Sequence, residues 1–305
     1  MIKQLLHRWW DSDLAYAWRS STVAVIATLL LVLLLIGSLG AHWVAPHNPF
    51  DLATINLIDA LTPPIWMEGG SPLYLLGTDS QGRDLYSSLL YGMRVSLFIG
   101  AASVVLAMLI GVILGLVSGY AGGRLDALIM RVADVQLSFP AILIALLIDG
   151  VVRAAVPTDM HESIAFPVLI GAIALAGWPQ YARTVRGSTM VEKNREYVQA
   201  ARVTGVSSTA ILFQHVLPNV LGPVLVLATV HIATAIITEA TLSFLGVGVP
   251  PTSPSLGTLI RVGNDFLFSG EWWITLFPGA ALVLLVLSVN LLGDWLRDAL
   301  NPRLN

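Results

Sequence analysis

The sequence predicts an all-α, polytopic membrane protein with about six transmembrane helices, and three observations carry that expectation. Of 305 residues, 56% are hydrophobic and only 11% are charged, whereas an ordinary soluble domain carries about 25% charged residues. A soluble chain would need charge to cover its surface, and here long stretches have none. Apolar stretches fall at 22–45, 95–119, 127–149, 164–182, 218–245 and 273–293, each long enough to cross about 30 Å of hydrocarbon as a helix. The strict alternation of barrel strands is absent, and in lipid a helix pairs every backbone N–H and C=O within its own segment.

The first stretch begins near Thr22 and runs uncharged to Ala41. It lacks the short apolar core and small-residue cleavage site of a signal peptide, so it is expected to remain as an anchor. The second carries Gly111, Gly115 and Gly119 at spacing four. Small residues on one stripe let helices approach closely, either within the subunit or across a dimer. The third contains Arg131, Asp134 and Pro140, and the fourth is expected to end at Trp178-Pro179. Pro218 is expected to open the fifth span, because proline suits the first helical turn.

Even spans place both termini on one side. With the termini inside, the cytoplasmic segments hold Lys3, Arg8, Arg19, Arg124, Arg131, Arg183, Arg186, Lys193, Arg195, Arg202, Arg297 and Arg303. The other side keeps Arg83, Arg94, Arg153 and Arg261. The positive-inside rule therefore predicts cytoplasmic termini, with outer loops at 46–94, 150–163 and 246–272 that serve as ordered caps or docking surfaces. The expected organisation is an N-terminal segment, first helix and external loop over 1–94, a five-helix core over 95–294, and a cytoplasmic tail over 295–305. The chain has no cysteine, which excludes disulfides, iron–sulfur clusters and thiolate zinc sites. No basic block points to nucleic acid. None of His7, His42, His47, His161, His215 and His231 forms an i, i+4 pair on one helix, so no metal site is expected.

The longest cytoplasmic segment, Arg183 to Leu217, is the most informative part of the chain. Asn194 is positioned to cap a short helix through Glu196, Tyr197, Ala200, Ala201 and Thr204, and Gly205 supplies its stop. Ala200-Ala201 is expected to give that helix a flat surface able to seat in a groove of another protein. A loop helix resting in the headgroup region is the plainer reading.

The pattern Ala200-Ala201, three residues, Gly205, then Leu217-Pro218 resembles the signature of permease subunits of binding-protein-dependent ABC importers. Gln199 stands where Glu is usual, and His215 where a branched aliphatic is usual. The resemblance continues through LGTDSQGRDLYSSLLYGMRVSL (76–97), EATLSFLGVGVPPTSPSLGTLI (239–260) and NLLGDWLRDALNPRL (290–304). Together these are similar to the C-type membrane subunit of the dipeptide, oligopeptide and nickel group. The resemblance implies a type I ABC importer permease fold in a bacterial inner membrane. It also implies a homologous second permease subunit, two cytoplasmic ATPase subunits and an external or periplasmic solute-binding protein. The helix 196–206 would then couple to an ATPase through Glu196, Tyr197, Gln199, Ala200, Ala201, Arg202 and Gly205, with Leu217 and Pro218 beyond. ATP and magnesium would be bound by the partner subunits, because this chain has no G-x-x-x-x-G-K-[ST] loop and its only lysines are Lys3 and Lys193. The cargo implied is short peptides, with nickel or a metallophore, opine or another small solute as alternatives on the same machinery.

Ionisable residues within spans are costly and usually face a bundle interior or an aqueous cavity. His231, Thr234 and Thr238 fall on one stripe that suits the wall of a translocation path. Glu239 lies off that stripe and is expected to line the path or bond a neighbouring helix. Asp134 is expected at the path or paired with Arg131. A secondary transporter would instead show inverted repeats and broken midplane helices, and no clear repeat is present. No G-x-S-x-G elbow or H-E-x-x-H marks an intramembrane enzyme.

Overall fold

A computed structural model describes residues 13–51 and 55–299. Lys3, Arg8, His7 and Arg303 lie outside the described residues. The helices are α1 (Asp13–Ser20), α2 (Thr22–Leu39), α3 (Leu85–Ala121), α4 (Gly123–Leu137), α5 (Ala141–Ala155), α6 (His161–Glu192), α7 (Glu196–Val203), α8 (Ser208–Phe244), α9 (Leu256–Asn264) and α10 (Trp273–Ala299). Helices α2, α3, α6, α8 and α10 are each long and apolar enough to span a membrane, and α4 with α5 makes a bent pair. Among the described residues β structure is limited to one isolated bridge, Thr78 to Asp84. The chain forms two compact units: residues up to Leu97 together with those from Pro251 onward, and Phe98–Pro250.

In the first unit, Ser21 caps α2 by accepting from the Ala24 N–H at 3.2 Å, and α2 and α9 both pack on α10. The loop between α2 and α3 is ordered by buried polar contacts. The Asp79 carboxylate accepts from the Gln81 and Arg83 backbone N–H groups at 2.8 and 3.0 Å and from Arg83 Nε at 2.6 Å. Arg83 also donates to the Pro251 carbonyl at 3.3 Å. Asp84, just ahead of α3, accepts from the Ser87 N–H at 2.9 Å and so caps its first turn. Leu85, Trp273 and Ile274 form a small core beneath this loop, and Trp273 Nε1 donates to the Thr78 carbonyl at 3.2 Å. The expected external loop is thus a folded cap.

In the second unit the glycine stripe of α3 meets α6. A Cβ added at Gly111 would lie 2.4 Å from Tyr181 Cβ, at Gly115 2.6 Å from the Ala182 oxygen, and at Gly119 2.7 Å from Thr189 Cβ. The stripe therefore serves packing within the subunit.

Two expectations need correction here and a third needs extending. The third span is not one straight helix: α4 and α5 meet at 97°. Pro140 stands at the N-cap of α5; it has no N–H and its ring clashes with the carbonyl four residues back, which stops α4. The fourth span does not end at Pro179, since α6 continues through Pro167 and Pro179 to Glu192. Pro179 leaves the Leu175 carbonyl without its helical donor, and Gln136 of α4 supplies one through Nε2. Gln136 Oε1 in turn accepts from Trp178 Nε1 at 3.0 Å. Pro218 stands in the first turn of the α-helical stretch Leu217–Phe244, as expected, but α8 as a whole begins before it. That helix begins at Ser208, with Ser207 Oγ capping the Ala210 N–H at 3.3 Å. The run Ile211–Val216 is π-helical, and the Leu217 N–H bonds back to the Leu212 carbonyl. The wider π turn gives room for the Pro218 ring that a tight α turn would lack.

Candidate functional site

Two groups of residues stand out in the second unit: the helix α7 with its supports, and a polar cleft between α3, α5, α6 and α8.

The N-cap of α7 is Arg195, extended at ψ 149 and without a side-chain cap. Asn194, expected as the cap, instead donates from Nδ2 to the Met190 carbonyl at 3.0 Å and so closes the end of α6. Gln199 reaches back to donate to the Asn194 carbonyl at 3.2 Å, a bond that a carboxylate at this position could not make. The other end is a Schellman turn. The Gly205 N–H bonds to the Arg202 carbonyl at 3.1 Å and the Val206 N–H to the Ala201 carbonyl at 3.0 Å, with Gly205 at φ +81.

The surface of α7 differs from expectation in one respect. Val198 and Ala201 are buried, so Ala201 faces inward. Glu196, Gln199, Ala200, Arg202 and Val203 are exposed, Val203 at 89%, and the Arg202 guanidinium lies over the Tyr120 ring of α3. The outward ridge is therefore Ala200 and Val203 flanked by polar side chains. Leu217 is half-buried and Pro218 exposed on α8.

Tyr197 ties α7 to both neighbours. Its hydroxyl donates to Glu192 Oε2 at 2.7 Å at the end of α6 and accepts from Asn219 Nδ2 at 3.1 Å on α8. Asn219 also donates to the His215 carbonyl at 2.7 Å. Burial, followed by the hydrogen bond to Glu192, holds the Tyr197 phenol above its ordinary pKa. Nothing in the linear pattern marked Glu192 or Asn219. Both matter through contacts between elements, Glu192 from the end of α6 and Asn219 from α8.

The cleft has a volume of about 70 Å³ and is bordered by Ser103, Gln180, His231, Thr234 and Thr238 among apolar neighbours. His231 Nε2 and Gln180 Oε1 are 2.7 Å apart; since the amide oxygen accepts, Nε2 carries the proton. Tyr181 packs edge-on against the imidazole, with centroids 4.8 Å apart. The Thr234 and Thr238 hydroxyls donate to the Val230 and Thr234 carbonyls at 3.3 and 2.8 Å, which leaves their oxygens free to accept. Ser103 Oγ is buried without a hydrogen-bond partner among the described residues. Among the described residues, no Asp, Glu, Lys or Arg side chain borders the cleft.

Of the five residues expected along a path, three meet in this cleft. Glu239 is fully buried elsewhere on α8 and accepts from Ser243 Oγ at 2.7 Å. Asp134 is 59% exposed and lies 3.7 Å from Arg183, which replaces Arg131 as its partner. Gln180 went unmarked in the sequence, although a glutamine directly after Pro179 in an apolar run is a usable signal.

The described residues form long apolar helices of membrane-spanning length, with the short helix α7 connecting α6 and α8. The chain belongs to the family of binding-protein-dependent transport system inner membrane components, whose family model matches residues 111–305. It is 40% identical over 298 residues to the di/tripeptide transport system permease protein DppC of Pseudomonas aeruginosa (strain UCBPP-PA14), covering 97% of this chain and 94% of that protein. It is 42% identical to the dipeptide transport system permease protein DppC of Escherichia coli (strain K12), over 92% of this chain and 89% of that one. It is 37% identical to the oligopeptide transport system permease protein OppC of Bacillus subtilis (strain 168), over 99% and 92%. Among solved structures, a chain of the methionine ABC transporter MetNI in inward-facing conformations superposes with a TM-score of 0.54 at 20% identity, covering 70% of this chain and 96% of that chain. The fold is that of a type I ABC importer permease, and the chain is a multi-pass permease subunit of a transport system.

Proposed function

We propose that this chain forms half of the translocation path of an ATP-driven importer of short peptides, in a bacterial cytoplasmic membrane with both termini inside. The peptide assignment is supported by relatives at 37–42% identity that carry dipeptide, di/tripeptide or oligopeptide in their names. A homologous permease would complete the path, two cytoplasmic ATPases would bind ATP and magnesium, and an external solute-binding protein would deliver cargo to the cap formed by the outer loops.

The observation that carries the reading is α7: a short helix between two spans, ending in a Schellman turn, with Ala200 and Val203 on a ridge directed away from its own subunit. Such a ridge suits a groove on an ATPase. Rotation of α7 reaches α6 and α8 through the Tyr197 hydroxyl. The cleft suits passing neutral cargo, because amide, imidazole and hydroxyl groups offer both donors and acceptors without a fixed charge that would trap a zwitterion.

The test is reconstitution with the cognate permease, ATPases and binding protein in proteoliposomes, measuring ATP hydrolysis and uptake of labelled dipeptide. Wild type is expected to import with stimulated hydrolysis. Gly205→Trp, at a positive φ that a bulky residue rarely adopts, is expected to insert and assemble but to hydrolyse ATP without import. Normal import by that variant would sink the assignment of α7.

A further inference from the structure

The last turn of α3 is gripped from two sides by residues that bracket α7. Lys193, the first residue beyond α6, donates from Nζ to the Gly119 carbonyl at 2.7 Å and lies 3.5 Å from the Tyr120 carbonyl. Arg202, in the last turn of α7, places its guanidinium carbon 5.3 Å from the centroid of the Tyr120 ring. A helix leaves its final carbonyls unpaired and carries partial negative charge at that end. An ammonium group on those oxygens is therefore a strong, directed contact. The cation over Tyr120 adds a second attachment one residue further along.

The same end of α3 is fixed to the body of the unit. Ser118 Oγ donates to Asp126 Oδ1 at 2.5 Å, and Asp126 accepts a two-pronged pair from Arg186 Nε and Nη2 at 2.5 and 2.7 Å. Gly119 lies flat against Thr189 of α6. The end of α3 therefore cannot shift alone. It moves with α6 through Asp126 and Arg186, and with α7 through Lys193 and Arg202.

We propose that Lys193 and Arg202 form a clamp on the end of α3 that carries displacement of α7 into that helix, which borders the cleft through Ser103. The clamp rests on the reading of α7 as the ATPase-contacting helix. Tyr197 serves α6 and α8; the clamp serves α3. Lys193 and Arg202 are thus positioning residues that act through the helix end they hold. Neither needs to touch cargo or nucleotide.

The test uses the full transporter in proteoliposomes and reads peptide imported per ATP hydrolysed, with co-purification of all subunits as a control for assembly. Lys193→Met keeps the apolar stem and removes the charge; it is expected to assemble, to retain hydrolysis and to import severalfold less per ATP. Lys193→Arg is expected to restore most of the yield, which a general packing role would not predict. Arg202→Leu is expected to lower the yield in a background with Tyr120 and to add nothing in Tyr120→Leu, whereas Tyr120→Phe keeps the ring and the yield. Wild-type yield in Lys193→Met, or additive losses for Arg202→Leu and Tyr120→Leu, would overturn the clamp. If Lys193→Met does not assemble, the Arg202 and Tyr120 comparison decides. Failure of the clamp and failure of the α7 reading are distinguishable through Gly205→Trp: uncoupling there with intact Lys193→Met removes the clamp alone, while normal coupling there removes both.

Discussion

Tyr197 is the residue on which the geometry around α7 turns. One hydroxyl satisfies Glu192 and Asn219 at once, so its removal leaves two polar groups to find water. Because the site is partly open, the thermodynamic cost of Tyr197→Phe is small, about 0.5 kcal/mol. The mechanical cost is expected to be larger. Tyr197→Phe should leave the melting temperature of the detergent-solubilised complex almost unchanged while lowering peptide import per ATP, measured side by side in one preparation. A variant that loses stability and transport in proportion would mean that the hydroxyl only braces the fold. Gly205 was legible from sequence, since a glycine after a short apolar–polar helix marks a left-handed stop. Asn194 was not, because two adjacent residues compete for the cap, and Arg195 takes it once Asn194 is engaged by Met190.

At the scale of elements, the packing of α3 on α6 depends on three glycines, each filled on one side by the facing backbone. Gly115→Ala would drive a methyl group to within 2.6 Å of the Ala182 oxygen and 2.7 Å of Val185 Cβ, a clash expected to cost about 1–3 kcal/mol. Gly187, also helical, has open space around the same added atom, so Gly187→Ala is expected to be neutral or to stabilise by up to about 1 kcal/mol. Thermal denaturation of the two purified variants checks the contrast, and equal melting temperatures would refute the close-packed stripe. The five long helices were legible because apolar length is a local property. The break at Pro140 and the run of α6 through Pro179 were not. A proline's effect depends on whether another element can serve the carbonyl it leaves behind, and no window of sequence shows that.

At the scale of the molecule, the distribution of arginine and lysine predicts an orientation that the two units do not supply by themselves. The absence of cysteine makes it directly measurable. Leu73→Cys, on the exposed cap, is expected to react with a membrane-impermeant maleimide added to intact spheroplasts, and Thr204→Cys, beside α7, only after permeabilisation. The opposite labelling would invert the topology and place α7 out of reach of any cytoplasmic ATPase. The family was legible from the segment around Gly205 and three further stretches. The cleft was only half legible: His231, Thr234 and Thr238 share a stripe that periodicity reveals, whereas Gln180 and Ser103 join them from other helices.

The Leu175 carbonyl, orphaned by Pro179 and served by Gln136, also bears on how this sequence can change over time. A chain that exchanged Pro179 for a residue with an N–H would give Leu175 its ordinary helical donor and leave Gln136 with its bond from Trp178 alone. A chain that first lost Gln136 would carry a bare carbonyl in the middle of α6. The order of the two substitutions therefore matters, and loss of Gln136 is expected to cost less once Pro179 has been replaced.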